Sequence, residues 1–253
     1  MSDFKNDFQK PILEELKSIV VSKLKDEYLL EKQVLIKARV LSAEEAIGNP
    51  EKYDFPLLKG KEKIMEADFC GNRGHAYTDL YGGFRGSLSE IFNMDLSNNY
   101  RRALQVASIN ALAKYWGMAD DTVHCKDEQP GKCALKSSAF VEEKYPGIEK
   151  IAFIGYQPAF VDIFSKKYRL KVLDLDQDNI GQNKFGNIIL DGNKDMEEAV
   201  NWAELVFSTG SVLTNGSIDN ILKLAGERKV LFYGVTISGT AAIMGLNRIC
   251  FTE

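Results

Sequence analysis

Apolar positions recur at helical spacing near the start of the chain, where Phe8, Ile12, Leu16, Ile19 and Leu24 fall on one face and Lys17, Lys23 and Lys25 fall largely elsewhere. This predicts an amphipathic helix. Extended runs follow, first KQVLIKARVL and then the shorter KEKIMEADF and HAYTDLY, separated by the Gly- and Pro-bearing stretches IGNPEKYDFP and CGNRG. They predict a small meander. LSNNYRRALQVASINALAKYWG returns to the helical period, with Ser97 or Asn98 as its cap, an apolar face through Leu104, Ala107, Ala111, Leu112 and Tyr115, and Gly117 as its stop. The first part of the chain therefore reads as α+β.

Beyond EEKYPG the rhythm changes to short apolar runs alternating with helix-like segments, the pattern of a parallel sheet covered by crossover helices. The runs are KIAFIG, LKVLDLD, NIILD, ELVFSTG, KVLFYG and NRICFTE. Pro158 stands where a first helical residue would, with Phe160, Ile163 and Phe164 as the buried side, and SIDNILKLAGE predicts a further helix that Gly226 ends. A boundary near Tyr145 to Gly147 divides the chain into an α+β unit, 1–146, and an α/β unit, 147–253.

Composition adds mainly exclusions. Acidic residues number 36 against 32 basic ones without long single-sign blocks, so no surface for nucleic acid phosphates is implied. No run approaches the roughly 20 continuous apolar residues needed to span a bilayer. The start of the chain has acidic residues and helical spacing instead of a basic end and an apolar stretch, and the cysteines, 4 in number, are few. The expectation is a cytoplasmic protein with reduced thiols and no membrane or nucleic acid partner. A homo-oligomer stays open.

In an open parallel sheet, ligands settle at the carboxyl ends of the strands. The loops there are GYQP, DLDQDN, STGSVLTNGS and YGVTISGT, rich in residues that bring backbone N–H groups and hydroxyls to a ligand. They nominate Gly155, Tyr156, Asp174, Thr209, Gly210, Asn215, Gly234 and Thr236. Asp174 follows the glycine turn at the distance of a ribose-binding acid, yet GYQPAF lacks the further glycines of the dinucleotide fingerprint. A plain tight turn at Gly155 and a loop cap at Asp174 explain the same residues. Asn215-Gly216 turns the chain into a helix with Ser217 as its cap.

Metal donors are scarce. The chain has 2 histidines, His75 and His124. VHCKDEQPGKC offers His124, Cys125 and Cys133, with the cysteines spaced more widely than a compact pair, so a structural zinc site is weakly indicated. Adjacent side chains on an extended segment point apart, which favours Cys125 with Cys133. GNRGHAYTD brings Arg73, His75, Thr78 and Asp79 together, able to bind an anion or a cation, or simply to fix a turn. Cys70 and Cys250 flank apolar runs and read as core.

STGSVLTNGSIDNILKLA, VLFYGVTISGTAAIMG and IAFIGYQPAFVDIF resemble the C-terminal half of the heavy-metal chelation family, and GHAYTD and VHCKDEQPGKCA are similar to segments of its N-terminal half. The resemblance covers nearly the whole chain and is clearest after Ile148. It implies an enolase N-terminal-like domain, a Rossmann-like domain, and a site where they meet. Where many relatives have Gly-Pro-Ser, this chain has Phe232-Tyr233-Gly234, which leaves Gly234 and Thr236 as candidates there. The function so implied is binding of a metal ion, a transition metal among the candidates, or of a metal-containing small molecule, in an interdomain cleft. The stretch 118–136 is then a lid or ligand donor at its rim. The alternatives are an enzyme using a nucleotide or S-adenosylmethionine, with Asp174 or Asp176 on the ribose, and a regulatory module without chemistry. No Ser-His-Asp order, P-loop or HExxH names a hydrolase or kinase.

Overall fold

The computed structural model describes residues 10–30, 35–50, 55, 57 and 62–251. Phe8, the first residues of the KQVLIKARVL run and half of IGNPEKYDFP lie outside the described residues. Helix α1 (Ile12–Asp26) buries Ile12, Leu13, Leu16, Val20 and Leu24. Ile19 is instead 41% exposed, because it falls at the edge of a stripe centred on Leu16 and Val20.

Strand β1 (Leu35–Val40), helix α2 (Ala43–Ile47), strands β2 (Lys63–Phe69), β3 (Asn72–Thr78) and β4 (Phe84–Ser87), and helix α3 (Leu88–Asn93) follow. The sheet is antiparallel in the order β3-β2-β1-β4. Helices α2 and α3, which apolar periodicity does not reveal, each begin with a capping box, Ser42 with Glu45 and Ser87 with Glu90. Cys70, expected in the core, sits exposed in the β2–β3 turn with φ 53°. A two-residue hairpin turn needs positive φ, and Gly71 supplies the second such position.

Helix α4 (Asn99–Tyr115) is capped by Asn98, whose side chain accepts from the Arg101 N–H, and Gly117 turns the chain away with φ 65°. The sequence predicts one apolar face; the helix is buried all round from Ala103 to Ala113. One side lies on β2 and β3, and the other meets helices of the second unit. Small residues make this possible. A Cβ on Gly74 of β3 would lie 2.3 Å from the Ala107 carbonyl oxygen, so the strand and helix backbones are in direct contact there.

The rest of the chain holds α5 (Gln129–Lys144), ahead of the boundary read from the sequence near Tyr145 to Gly147, and then β5 (Lys150–Ile154), α6 (Pro158–Phe164), β6 (Arg169–Asp174), β7 (Asn183–Lys184), β8 (Asn187–Asp191), α7 (Met196–Trp202), β9 (Leu205–Thr209), α8 (Val212–Asn215), α9 (Ile218–Ala225), β10 (Lys229–Tyr233), α10 (Ser238–Met244) and β11 (Arg248–Ile249). All the predicted strand runs are present, in a sheet ordered β11-β10-β9-β5-β6-β8-β7. Every pairing is parallel except β7 with β8. Setting β7 aside, this is the doubly wound order whose direction of winding reverses between β5 and β9.

Helix α5, unforeseen in the 118–136 stretch, packs on α6, and Cys133, Ala134 and Val141 join the core formed by Phe153, Phe160, Phe164 and Phe207. Its first turn carries Pro130, which tolerates the missing N–H only there. Helix α9 opens without a Ser217 side-chain cap; the Ser217 hydroxyl donates to Asn215 Oδ1 at 2.7 Å instead.

Asn110 ties the two units together. Its amide nitrogen donates to the carbonyls of His75, Val235 and Thr236 at 2.7, 3.2 and 3.1 Å, and its oxygen accepts from the Gly239 N–H at 2.6 Å. Nearby the Tyr77 N–H donates to Thr236 Oγ1 at 3.1 Å, and Arg248 Nη2 donates to the Asp121 carbonyl at 3.0 Å. The carboxyl ends of β5, β9 and β10 are thereby held facing β3.

Candidate functional site

A cleft of about 610 Å³ opens where these strand ends face β3 and the 122–125 segment. Of the residues singled out in the sequence, it gathers Thr78, Asp79, His124, Cys125, Cys133, Gly155, Tyr156, Asp174, Thr209, Gly210, Asn215, Gly234 and Thr236. Arg73 and His75 are not among its lining residues.

His75 stands apart because strand alternation turns it away from α4 and toward Glu66. Its Nε2 lies 2.9 Å from Glu66 Oε2, and its Nδ1 accepts the His124 N–H at 3.0 Å. Both ring nitrogens are used, with the proton on Nε2. The Glu66 carboxyl is held below its ordinary range, first by that hydrogen bond and then by the nearby charges of Arg39 and Arg73. Arg73 is exposed and 3.5 Å from Glu66.

His124 lies on the cleft, but its ring is likewise engaged. Nδ1 donates to the Ala46 carbonyl at 2.9 Å, leaving Nε2 to accept from the Tyr77 hydroxyl at 2.8 Å. Burial pushes its pKa down to about 4, so it is neutral. Burial likewise raises the Tyr77 hydroxyl well above its ordinary range.

Cys125, Cys133 and Cys250 all face the cleft. The last, expected in the core, stands beyond β11, where the final strand brings it against α5. Its thiol interacts with that of Cys133, which holds Cys133 below the usual thiol range while raising Cys250. Burial pushes Cys125 up to about 12. Sequence spacing could not pair Cys133 with Cys250, which are brought together only by the packing of α5 beside β11. Among the described residues no group of three or more His, Cys, Asp and Glu side chains converges on a point that could hold a metal ion.

The floor is aromatic. Tyr233 stacks on Phe207 and Phe160, with ring centroids 5.0 and 4.9 Å apart, and its hydroxyl donates to the Gly155 carbonyl at 2.8 Å. Gly155 has φ 87°, and Thr209 Cγ2 already occupies the space where its Cβ would be, at 2.5 Å. Gly210 is required by the close approach of Ile237, whose backbone N would lie 2.6 Å from a Cβ at that position.

The cleft also has an acidic group. Asp174 accepts from the N–H groups of Tyr156 and Asp176 at 3.0 and 2.8 Å. Asp79 accepts from Asn99 Nδ2 at 2.6 Å. Glu62, which no sequence pattern singles out, faces Asp174, Asp79 and Asp176; enclosure and those charges push its pKa up to about 7. No Lys or Arg lines the cleft among the described residues.

The fold and cleft define a two-sheet α/β protein with its cavity at the carboxyl edge of a doubly wound sheet. Residues 140–247 match the model of the family DUF364, described as "Putative heavy-metal chelation". The family that the sequence motifs resemble is thus met again over the second unit. A DUF364 protein of unknown function from Pyrococcus horikoshii is similar in structure, with a TM-score of 0.53 and 19% identity over 87% of this chain and 79% of that one. A second, from Desulfitobacterium hafniense DCB-2, gives a TM-score of 0.50 and 12% identity over 72% of each chain. These likenesses show the fold. No curated protein matches the chain.

Proposed function

We propose that the chain binds a heavy-metal ion, or a small molecule carrying one, in the cleft between an enolase N-terminal-like unit and a Rossmann-like unit. The observation that carries this reading is the contact between the Cys133 and Cys250 thiols on the cleft wall, with Cys125 on the same cavity. Thiolate pairs select soft ions such as Cu(I), and borderline ones such as zinc. With both nitrogens of His124 engaged, further donors come from the metal-bearing molecule itself. The free state of Cys70, Cys125, Cys133 and Cys250 suits the reducing cytoplasm. A nucleotide is less well accommodated, since Thr209 fills the space beside Gly155 and no basic side chain among the described lining residues meets phosphate.

The test is metal uptake by untagged protein exposed to zinc, cadmium, nickel, cobalt or iron and then dialysed. Retention of metal by the wild type and by Cys70→Ser, and its loss in Cys133→Ser/Cys250→Ser, is the expected result. A wild type that retains none of these ions overturns the reading.

A further inference from the structure

Besides its thiols the cleft carries an acidic pole, formed by Glu62, Asp79, Asp174 and Asp176. These carboxylates are not equivalent. Asp174 is spent on the N–H groups of Tyr156 and Asp176, and Asp79 accepts from Asn99. Glu62 lines the cleft half-buried and has no hydrogen-bond or ion-pair partner among the described residues.

A half-buried carboxylate without a donor is costly; Arg102 offsets Asp79, but the neighbouring acids repel Glu62 and no cation among the described residues offsets its charge. The missing charge therefore belongs to something that enters. A bare metal ion fits poorly, because the acids surround a space and do not converge on a point. An ammonium group fits better: its several N–H donors spread over separate acceptors, and the Tyr77 and Tyr233 rings lining the same cavity suit an alkyl chain that carries a positive charge.

We infer that the acidic pole of the cleft is a subsite for an organic cation, with Glu62 as the residue that receives the ammonium group of an alkylamine ligand. This rests on the reading of the cleft as a small-molecule site, and it gives that molecule an amine group. Glu62 provides the direct ion pair. Asp79, Asp174 and Asp176 supply the surrounding negative potential.

Binding to the full chain is measured by calorimetry with probes of equal carbon count: 1,4-diaminobutane, the neutral 1,4-butanediol and the dianion succinate. The diamine binds, the diol and succinate do not, Glu62→Gln weakens the diamine roughly tenfold or more, and Asp79→Asn weakens it less. Cys70→Ser, exposed in the β2–β3 turn and away from the cleft lining, leaves diamine binding unchanged. Equal binding of diamine and diol, no binding of the diamine, or full affinity in a folded Glu62→Gln protein overturns the inference. Metal uptake is followed in the same proteins. Diamine binding without metal uptake defeats the metal reading alone, and metal uptake without diamine binding defeats this one alone.

Discussion

Glu66 stands opposite His75 in the register of β2 and β3, and the carboxylate and ring meet at 2.9 Å in a buried pair. The contact explains why this histidine does not reach the cleft although its sequence neighbours Thr78 and Asp79 do. It also holds the 122–124 segment, because the remaining ring nitrogen accepts the His124 N–H.

Glu66→Gln is therefore expected to cost about 2 kcal/mol at pH 7, as a charge-assisted hydrogen bond in a buried setting is weakened. The Glu66 pKa is depressed in the folded state, so its contribution is present above the unfolded carboxyl pKa and is lost as pH falls through the lower folded value. Urea unfolding across the acid range should show the wild type losing stability where the variant loses less.

Glu62 carries the opposite sign. Its folded pKa of about 7 lies above the ordinary carboxyl value, so the folded state binds that proton more tightly and loses stability as pH rises from the unfolded value to about 7. Glu62→Gln should stabilise the ligand-free protein by up to about 3 kcal/mol at pH 8 and leave it nearly unchanged at pH 4, as read by urea midpoints. A cation that needs the ionised carboxylate should bind more tightly at pH 8 than at pH 6, with a proton released on binding at the lower pH. Tyr77, Tyr233, Asp79, Asp174 and Asp176 face the same space, and the two tyrosine hydroxyls stay protonated throughout this range because burial raises both.

Asn110→Leu removes the donor shared by the His75, Val235 and Thr236 carbonyls and the acceptor of the Gly239 N–H. Orphaning these buried groups should cost about 3 kcal/mol or more in chemical denaturation. Asn110→Asp, which keeps the acceptor and loses the donor, should also destabilise strongly.

Gly74→Ala tests the contact between β3 and α4. The new methyl meets the Ala107 carbonyl and the Ala111 nitrogen at 2.3 Å, both backbone atoms that cannot rotate aside. A loss of about 3 kcal/mol in urea unfolding is expected, at the upper end for overpacking. Gly71→Ala meets no such obstacle and isolates the cost of positive φ alone.

The second sheet was legible because buried parallel strands are nearly continuous apolar runs, as KIAFI and LVFST are. Helix α5 was hidden because its buried side is Pro130, Cys133, Ala134, Ser137, Ser138 and Val141, small or polar residues that give little hydrophobic contrast. The same holds for the far side of α4, where Gln105, Ser108 and Asn110 are buried. The cleft's loops could be nominated from glycines and hydroxyls at strand ends, but Glu62 and Cys250 could not. A lone glutamate reads as solvated, and a cysteine after an apolar run reads as core, until tertiary packing encloses the one and places the other beside Cys133.

The helix that lies between the two sheets has a mechanical consequence. Since α4 supplies interior to both layers, separating them would uncover its side that faces α8 and α10 to water. The mouth of the cavity is consequently set when the chain folds, and the sheets stay where they stand as a guest enters.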